Sequence, residues 1–254
     1  MLSLRRLLFA VWLYLSMPLC AIGLSPALLM PHRPAMGVIK IWAHVVLFGL
    51  RWIMGVTVEV RGLENRPNGA ALIASKHQSM LDIIVPFTVL RDPCFVLKKE
   101  LMIVPFIGWF AWKTKMIPVD RGAHAKALKD MVRNARDRLA EGRQILIFPE
   151  GTRQLPGAAP DYKPGVAAIY RDLDGPCWPV ATNAGEHWPA KGFGYTPGHV
   201  VFEYLEPLPA GLKRAEFMAR LEQAIETASD RLSERVRHEV PATMPQLDTS
   251  VRAL

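Results

Sequence analysis

The sequence has no GxxxxGK phosphate loop, no GxSxG nucleophile elbow and no HExxH pair, which removes the simplest grounds for a kinase, a serine hydrolase or a zinc enzyme. Cysteine is scarce. Cys20, Cys94 and Cys177 are odd in number, far apart and without CxxC or CxxH spacing. Buried thiols in a reducing compartment are therefore expected, and neither a disulfide framework nor a metal site is. No helix-turn-helix, zinc-finger or RNP-like pattern accompanies the formal charge of +8, so nucleic acid is not the expected partner. Acidic side chains are missing before Glu59, and residues 7–30 carry no charge of either sign.

What is present begins with that uncharged run. At about 1.5 Å per residue it is long enough to cross a bilayer core. A cleaved signal peptide is the competing reading. Against it, the run is long, Met17-Pro18-Leu19-Cys20 is a poor lipobox, and no disulfide-rich domain follows. A second apolar segment, 35–54, is interrupted by Lys40, His44 and Arg51 and reads as amphipathic. With Pro31 and Pro34 between them, the two segments predict a helical hairpin over residues 1–54 that lies in or against one leaflet, with two full crossings as the alternative. Positive charge is concentrated in the first 153 residues; 98–153 alone carry twelve basic against six acidic side chains. Beside apolar sequence, such charge favours anionic lipid head groups or phosphorylated substrates.

At 254 residues the chain suits one catalytic unit and a small appendage. Short apolar runs at 56–60, 70–75, 95–97, 145–148, 178–181 and 200–204 predict strands. Helical stretches at 79–90, 123–141, 165–172 and 213–238 alternate with them, the last with Phe217, Leu221, Ile225, Ala228, Leu232 and Val236 at spacings of three and four. The order implies an α/β fold with a mixed, largely buried sheet flanked by helices, over residues 55–240. Residues 241–254 lack any period and predict a loose tail. The glycines at 192, 194 and 198 miss GxGxxG spacing and read as a turn.

Three segments carry chemistry. Ser75-Lys76-His77-Gln78-Ser79-Met80-Leu81-Asp82 joins a strand to a helix. Five residues turn a helix through about 500°, so His77 and Asp82 can pair only if His77 sits in the turn before the helix and folds back over it. A carboxylate on one imidazole nitrogen fixes the tautomer and makes the other a general base for a hydroxyl. The plainer reading is a polar turn histidine with Asp82 serving the helix N-terminus. Phe148-Pro149-Glu150-Gly151-Thr152-Arg153 again follows a strand: Glu150 and Thr152 can bond hydroxyls, Gly151 lets backbone approach a ligand, and Arg153 can hold a phosphate by two bonds. The third segment runs from Lys98, Lys99 and Glu100 to Asp120 and Arg121, adding two lysines and an arginine. Taken singly, each basic segment also reads as a solvated face.

In this order the segments resemble the lysophosphatidic acid acyltransferase family, the PlsC-like 1-acyl-sn-glycerol-3-phosphate acyltransferases, over about residues 56–208. The family's NHxxxxD motif is matched at His77 and Asp82, a second motif ends in Arg121, the third is matched by residues 148–153, and the fourth is similar to Trp178-Pro179-Val180. Lys76 stands where the motif most often has Asn, and Met80 where tryptophan is frequent; both departures bear on local hydrogen bonding and on the choice of lysolipid.

The resemblance implies that His77 takes the proton of an acceptor hydroxyl, which then attacks the thioester of acyl-CoA or acyl carrier protein, with Asp82 orienting His77 and no acyl-enzyme formed. It implies lysophosphatidic acid as acceptor and phosphatidic acid as product, no cofactor, and a place at the cytoplasmic face of a bacterial inner membrane, among membrane lipid. Lys99, Arg121 and Arg153 become candidates for the acceptor phosphate, and backbone N–H groups near Gly151 for the oxyanion. The motifs do not choose among acceptors: a lyso-ornithine lipid, glycerol 3-phosphate or another lysophospholipid remain. From a different class, a non-catalytic lipid-binding membrane protein would have no need of intact His77, Asp82, Glu150 and Arg153.

Overall fold

The computed structural model describes residues 2–120, 122 and 124–239; the predicted tail, 241–254, lies outside them. The chain opens with helices α1 (Leu2–Gly23) and α2 (His32–Gly49). A wider turn, Leu50–Met54, prolongs α2 and stops at Gly55, whose φ of +72° suits a residue without a Cβ. There follow β1 (Val56–Arg61), β2 (Ala71–Ser75), α3 (Leu81–Val89), β3 (Pro93–Lys98), α4 (Ile107–Lys113) and β4 (Ile117–Val119). The rest is α5 (His124–Ala140), β5 (Gln144–Ile147), α6 (Gly165–Leu173), β6 (Cys177–Thr182), α7 (Ala184–His187), β7 (Gly198–Tyr204) and α8 (Arg214–Glu239).

The strands form one seven-stranded sheet in the order β1-β7-β6-β2-β5-β3-β4, as the mixed α/β reading expects. Strands β2 to β6 are mutually parallel; β7 runs antiparallel to β6, and β1 is parallel to β7. The middle pair β2 and β5 is buried at every residue, the physical reason that both read as unbroken apolar runs. Helix α8 lays Phe217, Leu221, Ile225, Ala228 and Leu232 against the sheet, and Phe217 stacks on Tyr170 of α6 at 3.8 Å. Cys94 and Cys177 are buried free thiols and Cys20 is half-buried. Burial pushes the Cys94 thiol up to about 11, which keeps it protonated and inert.

Three elements go beyond the sequence reading, among them the single-turn helix α7. The third segment's Ile117-Pro118-Val119 is strand β4, unrecognised because it has three residues and a proline, which an edge position tolerates. Helix α4 is seven residues of mixed exposure with no apolar period to betray it.

Both N-terminal helices are long and apolar enough to cross a membrane, and most of each is left unburied, unlike the core helix of a soluble domain. Outward-facing Leu4, Leu7, Val11, Leu15, Leu19 and Ile22 make a continuous apolar stripe along α1. The inner face belongs to the main core. Phe9 is fully buried, edge-on to Trp188 at 5.4 Å and to Tyr195 at 5.0 Å. Arg6 Nε donates to the Tyr195 carbonyl at 2.9 Å, and Lys40 Nζ donates to the carbonyls of Leu90 and Arg91, each at 2.8 Å. Within the hairpin, Trp12 Nε1 donates to the Val45 carbonyl at 2.9 Å; a Cβ on Gly49 would lie 2.2 Å from that nitrogen, so glycine permits the approach.

Candidate active site

The parallel strands deliver all three chemistry-bearing segments to one edge. His77 follows β2, residues 148–153 follow β5, Lys99 follows β3, and the segment containing Asp120 follows β4. The chain leaves β2 for β3 on one side and β5 for β6 on the other, so a crevice opens at the carboxyl ends of β2 and β5.

Lys76 extends β2 by one bond, its N–H donating to the Val180 carbonyl at 2.9 Å, after which the chain turns. Helix α3 starts at Leu81, which places Asp82 in the first turn and His77 in the loop before it. The carboxylate then folds back as the spacing required. Its Oδ2 lies 3.0 Å from His77 Nδ1 and accepts the N–H groups of Gln78 at 2.5 Å and Ser79 at 2.7 Å. Asp82 therefore performs the plain task of tying down the turn and the sharper one of holding the ring. Its oxygen only accepts when ionised, so Nδ1 carries the imidazole proton and Nε2 the lone pair. The ring stacks on Phe148 at 3.9 Å and 13°, and the His77 side chain is 11% exposed, enough for one edge to meet a ligand. Such an arrangement can take a proton from a hydroxyl and return it to a leaving group.

Glu150 is the residue expected to bond acceptor hydroxyls. Its side chain is fully buried, with Oε1 2.7 Å from Lys76 Nζ and Oε2 accepting the backbone N–H of His77 at 2.7 Å. Both carboxylate oxygens are thus engaged behind the turn, one by the Lys76 ammonium and one by the His77 backbone. Burial raises the Glu150 carboxyl above the ordinary range, with Lys76 offsetting only part of that rise. Burial would lower the Lys76 ammonium, but Glu150 and Glu226 together outweigh it and hold it above the usual lysine value.

Gly151, at φ +68°, gives its N–H to the Phe148 carbonyl at 2.9 Å, so that N–H closes the turn. Thr152 and Arg153 are exposed beside it, and the next residue ties the two loops together: Gln154 N–H donates to the His77 carbonyl at 2.8 Å. No salt bridge among the described residues engages Arg153. Lys99 is 65% exposed and pairs with Asp120 at 3.1 Å, holding that carboxyl below its usual range. Arg121 lies outside the described residues. Sequence reasoning missed Phe148 as the stacking partner of His77, and missed Lys76, Glu226 and Tyr162 as a buried polar group behind it. The lysine in an otherwise apolar strand end was the one available signal. Among the described residues no three His, Cys, Asp or Glu side chains converge as a metal site.

Comparison with known proteins bears on this edge directly. A family model described as Acyltransferase matches residues 57–183, half of the chain, from β1 to the end of β6. The 1-acyl-sn-glycerol-3-phosphate acyltransferase of Pseudomonas aeruginosa is 36% identical over 163 residues, which is 64% of this chain and 63% of that protein. The human 1-acyl-sn-glycerol-3-phosphate acyltransferase alpha is 26% identical over 213 residues, 82% of this chain and 71% of its own length. The crystal structure of PlsC from Thermotoga maritima superposes with a TM-score of 0.74 over 91% of this chain and 98% of that one, at 22% identity, a likeness of fold.

Proposed function

The chain belongs to the acyltransferase family, and from that premise we propose that it moves a fatty acyl group from acyl-CoA or acyl carrier protein to the free hydroxyl of 1-acyl-glycerol-3-phosphate, giving phosphatidic acid. The observation that carries this reading is the His77–Asp82 pair, 3.0 Å apart in a turn whose neighbour loop presents Arg153. His77 Nε2 accepts the hydroxyl proton as the oxygen attacks the thioester carbonyl; the tetrahedral intermediate collapses, the C–S bond breaks, and the thiolate leaves with the proton from His77. An ionised Asp82 stabilises the imidazolium between those two transfers. Lys99, Arg121, Thr152 and Arg153 are assigned to the acceptor head group, the cations through charge-assisted bonds to phosphate. The exposed apolar stripe of α1 and the absence of acidic residues before Glu59 support residence on a membrane, at the cytoplasmic face of a bacterial inner membrane, where acyl thioesters are available.

Purified full-length protein given a panel of lyso-acceptors and acyl thioesters tests the reading, with thiol release and lipid product followed together. Acylation of lysophosphatidic acid ahead of lyso-ornithine lipid, glycerol 3-phosphate and neutral lysophospholipids is expected. Thiol release without lipid product would identify a hydrolase, and lipid binding without turnover a non-catalytic protein.

A further inference from the structure

Lys76 sits where a strand end should be apolar. It is 2% exposed, and its ammonium meets two carboxylates from distant parts of the chain. Nζ is 2.7 Å from Glu150 Oε1, and 2.8 and 2.7 Å from the two oxygens of Glu226 on α8. Glu150 in turn accepts the backbone N–H of His77 at 2.7 Å. The contacts thus run without a gap from α8 through Glu226, Lys76 and Glu150 to the catalytic turn. Tyr162 closes the far side, its hydroxyl donating to Glu226 Oε1 at 2.8 Å.

A single cation between two carboxylates leaves this buried group one negative charge in excess, so each member controls the others. Removing one partner of a buried ion pair is far more disruptive than the net worth of the pair, because the remaining charge stays without compensation. The backbone N–H of His77 is held by whichever form Glu150 takes. A carboxylate accepts about twice as strongly as a neutral carboxyl.

We propose that Lys76 is a positioning residue for His77, with Glu226 holding the lysine in place while opposing its pull on Glu150. The ammonium, braced by Glu226 of α8, keeps Glu150 an anionic acceptor for the His77 N–H and so fixes the ring that performs proton transfer. The proposal rests on the acyl-transfer reading of the same turn. The charged groups facing Glu150 are Lys76 in the turn itself and Glu226 on α8, with Tyr162 from the loop before α6 behind Glu226 and the His77–Asp82 pair in front. Glu222 of α8 acts on Tyr162.

The signs are opposite for the two positions. Lys76 draws the Glu150 carboxyl down and Glu226 pushes it up. Lys76→Met therefore makes Glu150 take a proton at higher pH and moves the acid limb of the kcat–pH profile upward, by about one pH unit. Glu226→Gln moves that limb downward by less. A residue that merely supports the fold would lower activity at every pH without displacing the limb.

The test uses the full chain in detergent micelles, with acyl transfer read as thiol release and the His77 ring titrated by NMR on histidine-labelled protein, its resonance identified by its loss in His77→Gln. Expected for Lys76→Met are a fall in kcat of about 10- to 100-fold near neutral pH, both KM values within about threefold, and the upward limb. The proposal is overturned by an unchanged profile in folded Lys76→Met, or by equal losses at all pH in both variants. Should Lys76→Met fail to fold, Glu226→Gln decides: it keeps the Lys76–Glu150 pair, and its own partner position is 18% exposed. Its downward shift sustains the proposal and an unmoved limb overturns it. If the parent protein transfers no acyl group to any acceptor, the acyl-transfer reading falls by itself, and opposite displacements of the His77 titration still establish the clamp.

Discussion

Two buried cations stand at opposite ends of the central strands, and their partners differ in kind. At the amino end of β5, Arg143 is 1% exposed and donates to the carbonyls of Thr114 at 2.9 Å and Pro93 at 3.3 Å, with Asp92 at 3.2 Å as its one ionised partner. Next to it, Gln144 bridges the Pro67 carbonyl at 2.8 Å and the Asp92 N–H at 3.0 Å. At the carboxyl end of β2, Lys76 meets two carboxylates, one of which holds the His77 turn. Most of the Arg143 partners are backbone carbonyls, so the amino end locks loops and the starts of strands together. The Lys76 end ties geometry to protonation. One end of the central strands thus ties loops to the fold, and the other holds the His77 turn that the proposed chemistry uses.

Substitutions at the two ends should separate these roles. The largest effect is expected from His77→Ala: activity falls by roughly 10²–10⁴-fold while the thermal transition stays near that of the parent. Near-normal turnover in a folded His77→Ala protein would remove the distinction between the ends altogether. Arg143→Met reverses the pattern. Loss of the guanidinium leaves Asp92 and two buried carbonyls without their donor and costs about 3–5 kcal/mol of stability, read as a lowered denaturation midpoint. The protein that remains folded should turn over at close to the parent kcat. A comparable loss of kcat at unchanged stability would show that the amino end reaches the chemistry after all.

The smallest effect sharpens the picture within the carboxyl end. Arg153→Ala should raise the KM for a phosphate-bearing acceptor by about tenfold, the worth of a charge-assisted bond, while the thioester KM stays put. Equal losses for an acceptor lacking phosphate would place Arg153 with the donor or with the fold.

How much of this could be seen in the sequence follows from the reach of each interaction. Strands β2 and β5 were legible because burial on both faces writes an unbroken apolar run, and α8 because one buried face writes a period of three and four. The His77–Asp82 pair was legible because five positions separate its members and one turn brings them together. Edge strand β4, with a proline in three residues, had no pattern to show. The buried partners of Glu150 were hidden for a different reason: Lys76 follows another strand and Glu226 lies on the last helix, so nothing local marks the contact. Arg143 was hidden in the same way, since carbonyl partners carry no residue identity.

Phe9, Trp188 and Tyr195 form a three-ring cluster that packs the hairpin against the rest of the chain. Phe9, Leu13, Met36, Val46, Leu50 and Met54 all belong to the core that also contains β2 and β5. A chain begun at Gly55 would lose them together and uncover the aromatic seat they fill, so it should precipitate and not yield a soluble catalytic fragment. Linkage then follows by mass action. If lipid binds the outer stripe of α1 only while α1 is packed on the core, a hundredfold excess over its dissociation constant adds about 2.7 kcal/mol to the stability of the whole unit. The melting temperature of the His77 turn should accordingly rise with added lipid and fall as detergent replaces it, although no lipid need touch that turn.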